Sequence, residues 1–255
     1  MLPDRHSVSL AHMDVRGGTE TEAEPGTGGG LMPPTLWSLV AQGGAGSVEA
    51  LDKLCRMYWK PIHAYLCRWG VNPTDADDVT QQFLLRLQQR DRLARPRAER
   101  GRFRSYLLTA LRNFLHDYRE REGAREFVPV AGPDGPQEGA VELPAAALSP
   151  DQEFERNGTL ALIQQALDEL RADYAARGQA ERFELLSQLL PGKHAELSQA
   201  EIGERLGLSE GAVAKAVFDL RQRFRNAFRR VVGMTVHSYD EVDQEIADHL
   251  AILSR

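Results

Sequence analysis

The stretch LSQAEIGERLGLSEGAVAKAVFDLRQRFRNAFRRVV, from Leu197 to Val232, constrains the fold more than any other part of the chain. Ser198 and Glu201 stand three apart, the S-x-x-E spacing in which a hydroxyl and a carboxylate cap each other's backbone amides at a helix start. Ile202 and Leu206 follow one turn apart and are expected to face a core. Gly203 permits close approach of a neighbour, and Gly207 can take the left-handed conformation that turns the chain. Leu208 fills the gap after it, and Ser209 caps a second helix. Val213, Val217, Leu220, Phe224 and Phe228 then recur at helical spacing along one face. The pattern predicts two helices joined by a short glycine turn, a helix-turn-helix.

The outward face of the second helix carries Glu210, Gly211, Ala214, Lys215, Phe218, Arg221, Gln222 and Arg225. The N-terminal part of such a helix can enter a major groove, with arginines further along meeting phosphates. The competing reading is an ordinary helical hairpin with a solvated basic face.

Before this motif the pattern is helical throughout. Residues 1–34, rich in Gly, Pro, Thr and acids, are expected to be disordered. Order is predicted to start at TLWSLV, from Thr35. From Ser47 to Gly70, Ala50, Leu51, Leu54, Tyr58, Ile62, Tyr65, Leu66 and Trp69 recur at steps of three or four. Pro61 falls inside this run and Gly70 ends it. Thr74 is the expected N-cap of the next helix, whose apolar stripe is Val79, Phe83, Leu84 and Leu87. After the basic loop RDRLARPRAERGRF, a third helix is predicted from Phe103 to about Arg121, with Tyr106, Leu107, Ala110, Leu111, Phe114 and Tyr118 inward. Residues 123–149 read as a Gly- and Pro-rich linker. A second helical domain is expected to start at Pro150, with Leu160, Ile163, Leu167 and Leu170 on one helix and Phe183, Leu186, Leu189 and Leu190 on the next. No strand or internal repeat stands out, so the expected fold class is all-α: two small helical domains joined by a flexible linker. The expected divisions are 1–34, 35–122, 123–149, 150–235 and 236–255.

The net charge of -6 at pH 7 hides a strong asymmetry. Between Arg86 and Arg125 stand 12 arginines against 5 acids, a local balance of +7. Leu197 to Val232 is +3, whereas residues 238–255 hold 5 acids and one arginine. Local cationic zones attract phosphate backbones whatever the global charge. Cys55 and Cys67 are read as reduced structural thiols, because no closely spaced Cys/His pairs suggest zinc. With no signal peptide or spanning run in evidence, the expected location is the cytoplasm.

Two further stretches carry candidate chemistry. PTDADDVTQQFLLRL places Asp75, Asp77 and Asp78 in the first turn of a helix. Acids there complement the helix dipole, could form a docking surface, or could hold a metal, although no companion His or Glu stands at matching spacing. GRFRSYLLTALRNFLHDYRERE interleaves Arg102, Arg104, Arg112, Arg119 and Arg121 with aromatics. Such a mixture can hold a backbone and stack unpaired bases, or can be a core stripe beside solvated arginines.

In this order the pieces resemble a known layout. DADDVTQQFLLRL resembles the D-A-E-D-hydrophobic-x-Q-E signature of bacterial RNA polymerase sigma factors of the extracytoplasmic-function type, in the sigma-70 family. SYLLTALRNFLHDYRER resembles their W-L-x-x-I-A-x-N-x-x-x-D-x-x-R helix, and LSQAEIGERLGLSEGAV their C-terminal helix-turn-helix. The resemblance implies docking on the clamp coiled coil of the polymerase β′ subunit through Asp75, Asp77, Asp78, Gln81 and Gln82. It implies opening and holding of the −10 promoter element through Arg102, Arg104, Arg112, Asn113, Arg119 and Arg121, and duplex reading of the −35 element by the helix-turn-helix. The implied partners are polymerase core, promoter DNA and, as an open candidate, an anti-sigma factor. No catalytic residue, cofactor or metal is implied. The sequence departs from the pattern at Gln82, where Glu is usual, at Tyr106, where Trp is common, and across Ala212, Val213, Ala214, Lys215, Ala216 and Asp219 of the recognition helix.

At the C-terminus Ser238 and Glu241 are spaced as another capping box, with Val242, Ile246 and Leu250 on one face among five acids. We expect an acidic amphipathic helix that either packs near the helix-turn-helix and modulates DNA access or completes that domain's core. Two rival functions remain. One is a helix-turn-helix regulator or adaptor that binds a protein partner without directing initiation. The other is a metal-dependent nuclease built on Asp75, Asp77 and Asp78.

Overall fold

The computed structural model describes residues 48–89, 102–122, 148–190 and 196–254. The N-terminal segment, the TLWSLV start, the basic loop before Arg102 and almost all of the 123–149 linker lie outside them. The described residues are all-α, without a strand. In chain order the helices are α1 (Val48–Arg68), α2 (Ala76–Gln89), α3 (Phe103–Glu122), α4 (Pro150–Ala176), α5 (Ala180–Ser187), α6 (Gln199–Leu206), α7 (Glu210–Gly233) and α8 (Val242–Leu253). A 3-10 turn, Tyr239–Glu241, precedes α8.

The helix ends follow local chemistry. Gly70, at φ +89, closes α1. Its N–H reaches the Cys67 carbonyl, and the Val71 N–H reaches that of Leu66, so two carbonyls orphaned by the helix end are satisfied. The start of α2 differs from expectation. Asn72, rather than Thr74, supplies the acceptor: its Oδ1 takes bonds from the Thr74 N–H at 3.1 Å and the Thr74 hydroxyl at 3.0 Å. The short Asn side chain can fold onto backbone two residues ahead, and this wins over the hydroxyl.

Packing divides the chain into two compact units. One unit joins Pro34–Gln165 with Arg229–Ile252, and the other centres on Ala166–Phe228. Among the described residues the divisions fall inside helices α4, α7 and α8.

The first unit has an aromatic core. Phe83 lies against Phe114 at 5.3 Å between ring centres, Tyr58 against Phe103 at 5.6 Å, and Tyr65 edge-on to Phe154 at 5.7 Å. Such pairs add about 0.5–1.5 kcal/mol each beyond the area they bury. On α3 the buried stripe is Phe103, Leu107, Leu108, Leu111, Phe114 and Leu115. Tyr106, Ala110 and Tyr118, expected inside, are only half-buried. On α4, Leu160 is exposed and Ile163 half-buried, contrary to expectation. Phe154 and Leu162 are buried in the first unit, and Ala166, Leu167, Leu170 and Tyr174 in the second. One helix serving two cores cannot keep a single straight apolar face. The second unit closes over Phe183, Leu186, Ile202, Val213 and Leu220, all fully buried.

Candidate nucleic-acid interface

The α6–turn–α7 segment is built as its sequence requires. The Ser198 hydroxyl accepts from the Glu201 N–H at 3.3 Å, and the Glu201 carboxylate accepts from the Ser198 N–H at 2.8 Å. The Ser198 N–H, and after it the Ser198 hydroxyl donating to the same carboxylate at 2.7 Å, hold the Glu201 carboxyl below its ordinary range. Gly207 sits at φ +64, ψ +33. The Leu208 N–H bonds the Gly203 carbonyl at 2.8 Å and the Gly207 N–H that of Glu204 at 3.3 Å, a double closure of the helix end. Ser209 accepts from the Ala212 N–H at 3.3 Å and so starts α7. Leu206 and Phe224, expected inside, are half-buried, while Ala216, Ala227 and Val231 join the buried face of α7.

The outward face of α7 is as expected in position but not in character. Glu210, Gly211, Ala214, Lys215, Phe218 and Arg221 are exposed; Gln222 and Arg225 are half-buried. Phe218 is 59% exposed, unusual for a phenylalanine with no core to fill. Arg221 donates to the Leu189 carbonyl at 3.2 Å, and the Arg223 guanidinium lies over the Tyr174 ring at 5.5 Å.

On α2 the two faces separate cleanly. Ala76, Val79, Thr80, Phe83, Leu84 and Leu87 are buried, while Asp75, Asp77, Asp78, Gln81 and Gln82 are all exposed. The five candidate docking residues therefore share one solvent-facing surface at the helix start. Leu85 joins it, 45% exposed and one turn beyond Gln81 and Gln82. Sequence reasoning missed Leu85, although its spacing from Asp78 placed it on that side.

The arginines of α3 are brought together along one element, yet most are already engaged. Arg112 pairs with Asp151, and Tyr65 donates to the same carboxylate at 3.2 Å. Burial first, and Asp151 second, push the Tyr65 phenol up to about 12. Arg119 stacks over the Trp69 ring at 5.3 Å and donates to the Trp69 carbonyl. Arg121 bonds the Asp117 carbonyl within its own helix at 3.0 Å, and Asn113 is exposed.

Arg102 and Arg104 meet the C-terminal helix. Glu245 lies 2.9 Å from Arg102 Nε and 3.2 Å from Arg104 Nε, and Asp248 pairs with both arginines. Two acids of α8 thus turn to Arg102 and Arg104, while a third, Asp243, pairs with Arg229 at the end of α7. Its buried face is also not Val242, Ile246 and Leu250. Val242, Glu245, His249 and Ile252 are buried, and Ile246 and Leu250 are half-buried, because the two guanidiniums draw the acidic stripe inward. The expected Ser238–Glu241 box is replaced by a 3-10 turn in which Ser238 accepts from the Asp240 N–H at 3.4 Å. His249 completes the cluster, 3.4 Å from Glu245, with its other ring nitrogen 2.8 Å from the Thr159 hydroxyl.

His116, Asp117 and Glu120 bring their ligand atoms within 4.8 Å of one another. Asp117 is claimed by Arg86 and His116 faces Glu120 at 3.8 Å, so the trio reads as an ion-pair network.

Residues 54–125 match the family described as sigma-70 region 2. The matched segment contains the acidic start of α2 and the whole of α3, and it supports reading the chain as a sigma-70 family member. No curated protein and no solved structure matches the chain. Among the described residues, no helix is long and apolar enough to cross a membrane.

Proposed function

We propose that the chain is a sigma factor of the extracytoplasmic-function type, which binds RNA polymerase core in the cytoplasm and directs promoter recognition, DNA melting and initiation. One observation carries the reading. The segment matching sigma-70 region 2 presents an acidic and amide-bearing face on α2 and an arginine-lined helix α3. In this proposal Asp75, Asp77, Asp78, Gln81 and Gln82 dock on the β′ clamp coiled coil, with exposed Leu85 adding an apolar contact one turn further along that face. Arg102, Arg104, Arg112, Asn113, Arg119 and Arg121 hold the opened −10 element through phosphate contacts and stacking. The α6–α7 helix-turn-helix lies on the −35 duplex, with the start of α7 in the major groove. The chain performs no covalent chemistry and is not an enzyme.

A second reading has its own support. The face of α7 that would read base edges offers Gly211, Ala214 and Phe218, and Arg221 is tied to the Leu189 carbonyl. Such a surface is poor in base-edge donors and suits an adaptor that binds a protein partner. Co-purification of the full chain with core polymerase, followed by run-off transcription on a pool of genomic promoters, separates the two. Core binding with promoter-selective transcripts supports the sigma factor. Core binding without selective transcripts supports the adaptor, and absence of core binding removes the main proposal.

A further inference from the structure

The C-terminal helix holds two of the arginines that the proposed function assigns to DNA. Glu245 is 2% exposed and Arg104 only 9%, so this pair is buried, while Arg102 and Asp248 beside it are partly open to solvent. Burying charges costs several kcal/mol per ion unless their partners satisfy them fully. Here the satisfaction is incomplete. Arg104 Nε and Nη1, Glu245 Oε2, Asp248 Oδ2 and His249 Nε2 are buried without a well-aligned hydrogen bond, although they face opposite charges. A half-satisfied polar network contributes less than its charge count suggests. Within the unit α8 is further held by buried Val242 and Ile252, by the His249–Thr159 contact and by the Arg229–Asp243 pair at its start. Over Arg102 and Arg104 the helix thus lies through ionic contacts of a kind that another polyanion can also make.

Its charge points the same way. Five acids stand among residues 238–255 against one arginine, opposite the most basic segment of the chain. Two carboxylates three residues apart on one helix face offer anionic oxygens to adjacent guanidiniums, as successive phosphates of a strand would. We propose that α8 is an intramolecular, displaceable occupant of the Arg102–Arg104 site: Glu245 and Asp248 hold that site closed, and a single-stranded DNA backbone competes with them for it. The proposal rests on the assignment of Arg102 and Arg104 to DNA. It adds that the free chain keeps this site shut until nucleic acid, itself concentrated by polymerase docking, displaces the helix.

The test uses the full chain and a fluorescein-labelled single-stranded oligonucleotide of mixed sequence, read by anisotropy across salt concentrations. E245Q/D248N should bind more tightly than the unmodified chain at low salt. R102Q/R104Q should bind less tightly. On single strands each phosphate contact adds about 0.7 to the salt slope, so loss of these two contacts flattens it by roughly 1.4, and a fourfold rise in salt weakens R102Q/R104Q roughly sevenfold less than the unmodified chain. If R102Q/R104Q weakens binding while E245Q/D248N leaves affinity and slope unchanged, α8 is a structural brace; the proposal is then overturned and the DNA role of the arginines stands. If neither double variant alters binding, the arginine assignment itself is wrong and the proposal goes with it. Should E245Q/D248N fail to fold, amide hydrogen exchange of the unmodified chain decides. Residues 242–253 should lose protection when the oligonucleotide is bound, and undiminished protection at saturation overturns the proposal.

Discussion

Three glycines within nine residues of the helix-turn-helix make opposite predictions for the same substitution. Gly203 lies inside α6, where alanine is ordinarily favoured by about 1 kcal/mol. A Cβ there would stand 2.7 Å from the Leu208 carbonyl oxygen and 3.3 Å from Val213 Cγ2. The first contact is with backbone in a turn closed by two hydrogen bonds, so no flexible side chain can step aside. Overpacking of this kind costs about 1–3 kcal/mol, and against rigid backbone it falls in the upper part of that range, so it outweighs the propensity gain and leaves G203A less stable by up to about 2 kcal/mol. Gly207 has open space around its Cβ position but sits at φ +64, so G207A loses about 1 kcal/mol through backbone strain alone. Gly211 also has open space and lies in the first turn of α7 with an ordinary helical backbone, so G211A gains up to about 1 kcal/mol. Thermal unfolding followed by far-ultraviolet circular dichroism reads the order: G211A above the unmodified chain, G207A and G203A below it. At roughly 4–8 °C per kcal/mol for a domain of this size, the gap between G211A and G203A should exceed about 5 °C. A G203A melting temperature equal to or above that of the unmodified chain would refute the argument, because it would show that the turn yields to a methyl group at no cost. G203A should also weaken duplex binding beyond its stability loss, since relief of the clash moves the start of α7.

Other outcomes follow from the same geometry. S198A removes a cap and should lower stability by about 1 kcal/mol in urea titration. The Glu201 carboxyl is held low in the folded chain, so its share of the capping box is present above the ordinary carboxylate range. It is lost as pH falls through the depressed value, and the difference between the unmodified chain and E201Q should shrink towards acid. D75N/D77N/D78N should reduce capture by immobilised core polymerase at least tenfold while circular dichroism stays helical, since these exposed acids contribute to the fold only about 0.3–1 kcal/mol each through the helix dipole. F218A should leave the melting temperature within about 1 kcal/mol-equivalent of the unmodified chain, as exposed positions do; its effect on promoter duplex affinity, measured by anisotropy, should be a loss. Tyr65 ionises in the folded chain only near 12, so its contribution to stability is full below the ordinary tyrosine value and disappears as pH rises from there to about 12. Ultraviolet titration of Y65F against the unmodified chain should show one missing late-ionising phenol.

The features legible in the sequence were those set by neighbours in the chain. The Ser198–Glu201 box, the left-handed Gly207 and the Ser209 start of α7 needed only residues within four positions, and each formed as read. The exposed face of α2 was likewise legible, because a single core on one side makes apolar spacing and exposure the same information. Leu160 and Ile163 failed for the complementary reason. Helix α4 buries Phe154 and Leu162 in one unit and Leu170 and Tyr174 in the other, so its average pattern belongs to neither.

The C-terminal helix buries a face that apolar spacing does not select. Apolar periodicity assumes that the buried face of a helix is its greasy face, and it therefore selected Val242, Ile246 and Leu250. The observed face puts Glu245 and His249 inside. Within residues 238–255 Glu245 meets the His249 ring at 3.4 Å, but the full positive charges that face it lie elsewhere, and isolated burial of a carboxylate is prohibitive. The justification lies about 140 positions earlier, in Arg102 and Arg104, and it is electrostatic. Charge balance computed segment by segment did hold the signal, +7 between Arg86 and Arg125 against an acidic tail. Net charge, however, has no direction and no register, so it could say that the two segments attract but not which helix faces meet. The same lack of register is what makes the contact suited to exchange. Apolar packing of α8 would have required a complementary surface, whereas a pair of guanidiniums accepts any anion of similar spacing. The feature least readable from sequence is thus the one in which a polyanion can most readily take the helix's place.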